Sequence, residues 1–66
     1  MAQRCLTPKQ IEVLRYLSQG LQNKQIAKAM GLSTATVKIH LNGIYMRLNV
    51  SNRIQAVLWA QSSDLI

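Results

Sequence analysis

The sequence predicts an all-α domain of four helices. Three observations carry that prediction. Apolar residues recur three and four positions apart in separate stretches, which is the spacing of one helix face. Helix start and stop signals bracket those stretches, most plainly Thr7-Pro8 with Gln10 at one end and glycine or asparagine at the other. No stretch sustains the alternation of a half-buried strand, and there is no internal repeat or low-complexity run.

Helix one is expected over about 8–19. Thr7 is a good N-cap, and Pro8 sits at the first helical position, where its missing N–H costs nothing. Gln10 completes a capping box, with Leu6 and Ile11 at the two staple positions around it. Val13, Leu14, Leu17 and Leu21 recur on one face, and Gly20 is a natural stop. Helix two is short, about 24–30, with Asn23 as the expected cap and Ile26, Ala27 and Met30 as its apolar side. Gly31 ends it, Leu32 follows, and Ser33 caps helix three over 34–48. Val37, Leu41, Ile44 and Leu48 form one narrow stripe on that helix, and Asn49 can take the left-handed conformation that closes it. Helix four is expected over 53–62, opened by Asn52 with Gln55 three residues on.

The bulk composition narrows the function. At 66 residues the chain is one small domain, and such a chain buries only about 60% of its unfolded surface. The single cysteine, Cys5, cannot form an internal disulfide and fits a reducing compartment. A metal site is not expected, because His40 is the only histidine and the two acids, Glu12 and Asp64, are far apart in sequence. No cofactor is implied. No apolar run approaches the roughly 18–20 residues that span a membrane, and the N-terminus lacks the apolar segment of a signal peptide, so the expected location is cytoplasmic. Eight Lys and Arg against two acids give a net charge of +6. That excess fits a nucleic-acid binder if it is clustered, although charge alone also fits anionic membranes or acidic proteins.

Helices two and three joined by Gly31-Leu32-Ser33 have the arrangement of a helix-turn-helix. Small Ala27 lets helix three cross close to helix two, Gly31 supplies a positive φ, and Leu32 plugs the turn into the core. With Val37 and Leu41 inward, Ala35, Lys38, Ile39, Asn42 and Met46 cluster on the opposite face. Lysine can donate to guanine, asparagine can pair bidentately with adenine, and an aliphatic side chain can touch the thymine methyl group. Lys38, Ile39 and Asn42 are therefore the candidate base contacts, against an ordinary solvated face. Thr36, His40 and Arg47 lie along one flank and can donate to phosphate; His40 also fits a histidine packed at the core edge. Asn23 and Lys24 open helix two, whose N-terminus favours an anion, and are further phosphate candidates. Arg53 is divided evenly between phosphate binding and a structural role beneath helix three. Catalysis is not expected, since no nucleophile or carboxylate is placed near His40 in sequence.

Helix four has two apolar faces. Ala56, Val57 and Ala60 suit the core, while Ile54, Leu58 and Leu65, with Gln61 among them, make a second stripe. Ile54, Leu58 and Gln61 are the candidate contacts of a homodimer, against scattered surface aliphatics. Trp59 fits either a core edge or that interface, and Tyr16, read as outward, could serve the same surface.

The chain resembles the LuxR/FixJ-type helix-turn-helix domain of bacterial transcription regulators. The matching residues are Leu6-Thr7-Pro8, Val13-Leu14, Gly20, Asn23-Lys24, Ile26-Ala27, Gly31-Leu32-Ser33, Thr36-Val37-Lys38, His40, Ile44, Leu48, Val50, Arg53 and Ala56, in the family's order and spacing. The resemblance implies four helices without a wing, helix three in the major groove of double-stranded DNA, and helix four often a dimer contact. It also implies that positions 38, 39 and 42 read bases. The family is usually an output domain behind a receiver or ligand-binding domain, so the chain is either a free-standing regulator or an excised domain. Four positions depart from the pattern. Gln10 stands where the family usually has Glu, Gln22 replaces Ser or Thr, Gly43 replaces Asn, and Asn49 replaces Gly. Mid-helix Gly43 should cost about 0.5–1 kcal/mol against alanine. The expected function is sequence-specific DNA binding by a transcription regulator. The alternative is a protein-interaction module or antagonist that uses the same fold to bind another regulator or RNA polymerase.

Overall fold

A computed structural model describes residues 6–63. Its helices are α1 (Pro8–Ser18), α2 (Asn23–Met30), α3 (Thr34–Leu48) and α4 (Arg53–Ser62), and it is all-α, with no strand among the described residues. Cys5, Asp64 and Leu65 lie outside them.

Helix starts follow local side-chain chemistry. Thr7 Oγ1 accepts from the Gln10 N–H (3.1 Å) and Gln10 Oε1 accepts from the Thr7 N–H (3.0 Å), the reciprocal capping box. Ser33 Oγ accepts from the Thr36 N–H (3.1 Å) at the head of α3. Asn52 Oδ1 accepts from the Gln55 N–H (2.9 Å), and Gln55 Oε1 accepts from the Ser51 N–H (2.7 Å), so α4 opens on two such bonds. The head of α2 differs from the sequence reading. Gln22, not Asn23, holds the cap position with extended backbone, and Asn23 is already helical. The Gln22 N–H is satisfied by Gln25 Oε1 (2.8 Å), while the Asn23 carboxamide is engaged elsewhere.

Three helices close alike. Gly20, Gly31 and Asn49 carry positive φ of 88°, 68° and 56°. After each, an N–H reaches back to a carbonyl of the last turn: Leu21 to Tyr16 (3.2 Å), Leu32 to Ala27 (2.8 Å) and Val50 to Tyr45 (3.0 Å). This bond satisfies otherwise orphaned carbonyls. It also turns the chain inward, so Leu21, Leu32 and Val50 all pack against the core.

The core is built on α3, which packs against α1, α2 and α4. Val37, Leu41, Ile44 and Leu48 are buried on its inner side. Val13, Leu14 and Leu17 of α1 meet them, with Ile26 and Ala27 of α2 and Ala56 and Ala60 of α4. Tyr16 is not outward: it is half-buried and packed against this core, as is Trp59.

Two of the departures from the family pattern touch each other. A Cβ on Gly43 would stand 2.7 Å from Gln10 Nε2, too close for both to keep their places. Gln10 is buried and bound into the capping box of α1, so the missing side chain at position 43 makes room for the glutamine. Gly43→Ala alone should therefore fail to deliver the usual gain of about 0.5–1 kcal/mol, whereas in a Gln10→Ala background it should deliver it in full. Urea unfolding of the four proteins measures this; strictly additive effects would mean the two positions are independent.

Candidate nucleic-acid interface

The burial of one side of α3 dictates what the other side offers. With Val37 and Leu41 fixed inward, Lys38, Ile39 and Asn42 all stand exposed, Ile39 at 68%. Met46 continues this face one turn on and is 82% exposed. At about 1.5 Å per residue, the 15 residues of α3 make a rod about 22 Å long.

The flank of α3 has a different character. Thr36 and His40 are half-buried and Arg47 is exposed. The Thr36 and Ser33 hydroxyls lie 2.9 Å apart, and Ser33 Oγ also accepts from the Thr36 N–H. Two hydroxyls sharing one hydrogen bond leave one proton of the pair for an outside acceptor, at the N-terminal end of α3 where the helix dipole favours negative charge.

The second N-terminus is that of α2. Its first intrahelical donor is Ile26, whose N–H donates to the Gln22 carbonyl (2.9 Å), so the N–H groups of Asn23 and Lys24 have no partner within the helix. Lys24 and Lys28 are exposed on this helix. Asn23 is half-buried, and its Oδ1 accepts from Arg53 Nη1 (3.1 Å). The other terminal nitrogen of Arg53 donates to the Leu21 carbonyl. Of the two roles open to Arg53, the geometry favours the structural one, although the residue it ties is the start of α2 rather than the underside of α3. That bond had no local signal, since partners 30 residues apart leave no spacing pattern to read.

On α4, Ile54 is 71% and Leu58 58% exposed, and Gln61 is exposed one turn further. Among the described residues no group of three His, Cys, Asp or Glu could hold a metal ion, and no helix is long and apolar enough to cross a membrane.

Two helices crossing through a left-handed glycine turn, the second exposing a face of mixed polar and apolar side chains, define a helix-turn-helix domain. The chain belongs to the luxR family of bacterial regulatory proteins, whose family model matches residues 4–60. It is 46% identical over 61 residues to the putative HTH-type transcriptional regulator YhjB of Escherichia coli K12, covering 92% of this chain and 30% of that protein. It is 43% identical over 53 residues to the nitrate/nitrite response regulator NarP of the same strain, covering 80% of this chain and 25% of NarP. The crystal structure of ChrA, the response regulator of a heme-sensing two-component system, superposes with a TM-score of 0.89 at 42% identity, over all of this chain and 33% of ChrA. The chain thus spans about a quarter to a third of the length of these relatives.

Ser33 links the fold to this surface, since its hydroxyl both caps α3 and pairs with Thr36. Ser33→Ala should cost about 1 kcal/mol of stability. In a domain of this size that lowers the thermal midpoint by about 4–8 °C. A calorimetric scan with no shift would mean that the cap contributes nothing.

Proposed function

We propose that this domain binds double-stranded DNA sequence-specifically for a bacterial transcription regulator, with α3 in the major groove. One observation carries the reading most: Lys38, Ile39 and Asn42 stand together on the exposed side of a helix whose opposite side is locked into the core. Lys38 donates to guanine, Asn42 pairs with adenine, and Ile39 packs on a thymine methyl group. Thr36, His40 and Arg47 hold phosphates along the flank of α3, and Asn23 and Lys24 hold them at the head of α2. The relatives support this reading, because they are named as transcriptional and response regulators. The domain acts in the cytoplasm, where bacterial DNA lies, and no catalytic step is assigned to it.

We also propose that it works as a homodimer through Ile54, Leu58 and Gln61 of α4. Two large aliphatic side chains, each more than half exposed and one helical turn apart, form a self-complementary strip. A two-fold dimer would place two recognition helices on half-sites about 34 Å apart, one turn of the duplex.

Gel-shift with random duplex DNA at two salt concentrations tests the DNA reading. Binding at 50 mM salt that weakens by about 10³-fold or more at 200 mM signals several phosphate contacts; no binding at the lower salt overturns the proposal. Within that assay, Asn42→Ala should relax base preference more than it lowers random-duplex affinity. Lys24→Ala should do the reverse and reduce the salt slope by about 0.9. Equal losses on all sequences for both variants would refute the division into readers and anchors. Leu58→Asp should abolish self-association in sedimentation with helicity intact, and unchanged association would move the interface off α4.

A further inference from the structure

The Arg53–Asn23 bond joins two helices that otherwise do not meet. The backbones of α2 and α4 are not neighbours, whereas every other pair of helices packs. Arg53, the first residue of α4, crosses the gap and donates to both Asn23 Oδ1 and the Leu21 carbonyl. These two acceptors flank the head of α2, one before its cap and one in its first turn.

A guanidinium carries five N–H donors and no acceptor. The carboxamide atom that faces it must be the oxygen, so the orientation of the Asn23 amide is set by its partner. With the oxygen held, what Asn23 can offer elsewhere is its NH₂ group alone. Without Arg53, the same carboxamide could turn either end outward, and an outward oxygen would repel a phosphate. Arg53 also fixes the loop that delivers α2, because the Leu21 carbonyl is the second point of the fork.

We infer that Arg53 is a positioning residue for DNA-backbone binding: its guanidinium holds Asn23 Oδ1 and the Leu21 carbonyl, presenting Asn23 as an oriented donor beside Lys24 at the head of α2. The inference rests on the DNA-binding reading above. It also gives α4 a second duty. The helix that carries Ile54 and Leu58 is tied by its first residue to the head of α2, so a shift of α4 would move a phosphate contact.

The test is a double-mutant cycle on random-duplex affinity, with the salt slope as the second readout. Arg53→Gln and Asn23→Ala should each weaken binding by about tenfold at fixed salt, the worth of a hydrogen bond to a charged acceptor. The double variant should bind no more weakly than either single one. The slope should stay at the wild-type value in all three, because a neutral amide displaces no counterion and Arg53 is not itself the anchor. A slope reduced by about 0.9 in Arg53→Gln would make Arg53 a direct phosphate contact and overturn the inference; losses that multiply would overturn it equally. If Arg53→Gln does not fold, Asn23→Asp serves in its place, since a carboxylate keeps the acceptor for Arg53 and removes the donor. It should keep the thermal midpoint and lose at least as much affinity as Asn23→Ala; undiminished affinity contradicts the inference. A wild-type protein that binds no duplex at low salt would instead strike the DNA-binding reading itself.

Discussion

The rotation of α3 about its own axis is the constraint on which the rest depends. Successive helix positions are about 100° apart, so a slip of one residue would carry Lys38 and Asn42 toward the core. Val37, Leu41, Ile44 and Leu48 prevent that slip, because each is essentially buried and all lie on one stripe. Like α1, α3 packs on all three other helices. Losing one large side chain from such a stripe costs about 2–5 kcal/mol. A single core of this size supplies only about 3–5 kcal/mol in total. The exposed face of α3 proposed to read bases and the stability of the domain therefore rest on the same four residues.

A small core leaves much of the work to helix ends. Capping bonds at Thr7, Ser33 and Asn52 each satisfy a backbone N–H that would otherwise lack a partner. At the other ends, Gly20, Gly31 and Asn49 turn the chain so that Leu21, Leu32 and Val50 reach the core. The same device that stops a helix thus adds an apolar contact. In the helix-turn-helix it does a third thing: the turn at Gly31 sets the angle at which α3 leaves α2.

Most of this was legible in the sequence because it is local. A cap and its partner lie three residues apart, a helical stripe repeats every three or four, and a left-handed stop announces itself as Gly or Asn. The outer face of α3 followed from its inner one, so the exposure of Lys38, Ile39 and Asn42 needed no long-range information. What escaped the sequence reading was long-range. Asn23 looked like the cap of α2, yet its oxygen is taken by Arg53 across 30 residues and Gln22 holds the cap position. Gly43 read as a plain cost, and its reason is a glutamine side chain arriving from α1. Tyr16 looked outward on a helical wheel, but α1 is covered by more than one neighbour, which leaves its ring half-buried. The apolar strip on α4 was visible as a pattern, and Ile54 and Leu58 are exposed.

The claim that α3 reads sequence is tested most directly by selecting bound duplexes from a random pool with the wild-type protein. The expected result is enrichment of one motif with a two-fold repeat, its half-sites separated by about 10 base pairs, with guanine, adenine and thymine edges in the major groove at the positions enriched. Recovered duplexes no more alike than the starting pool would contradict it, however tightly they bind.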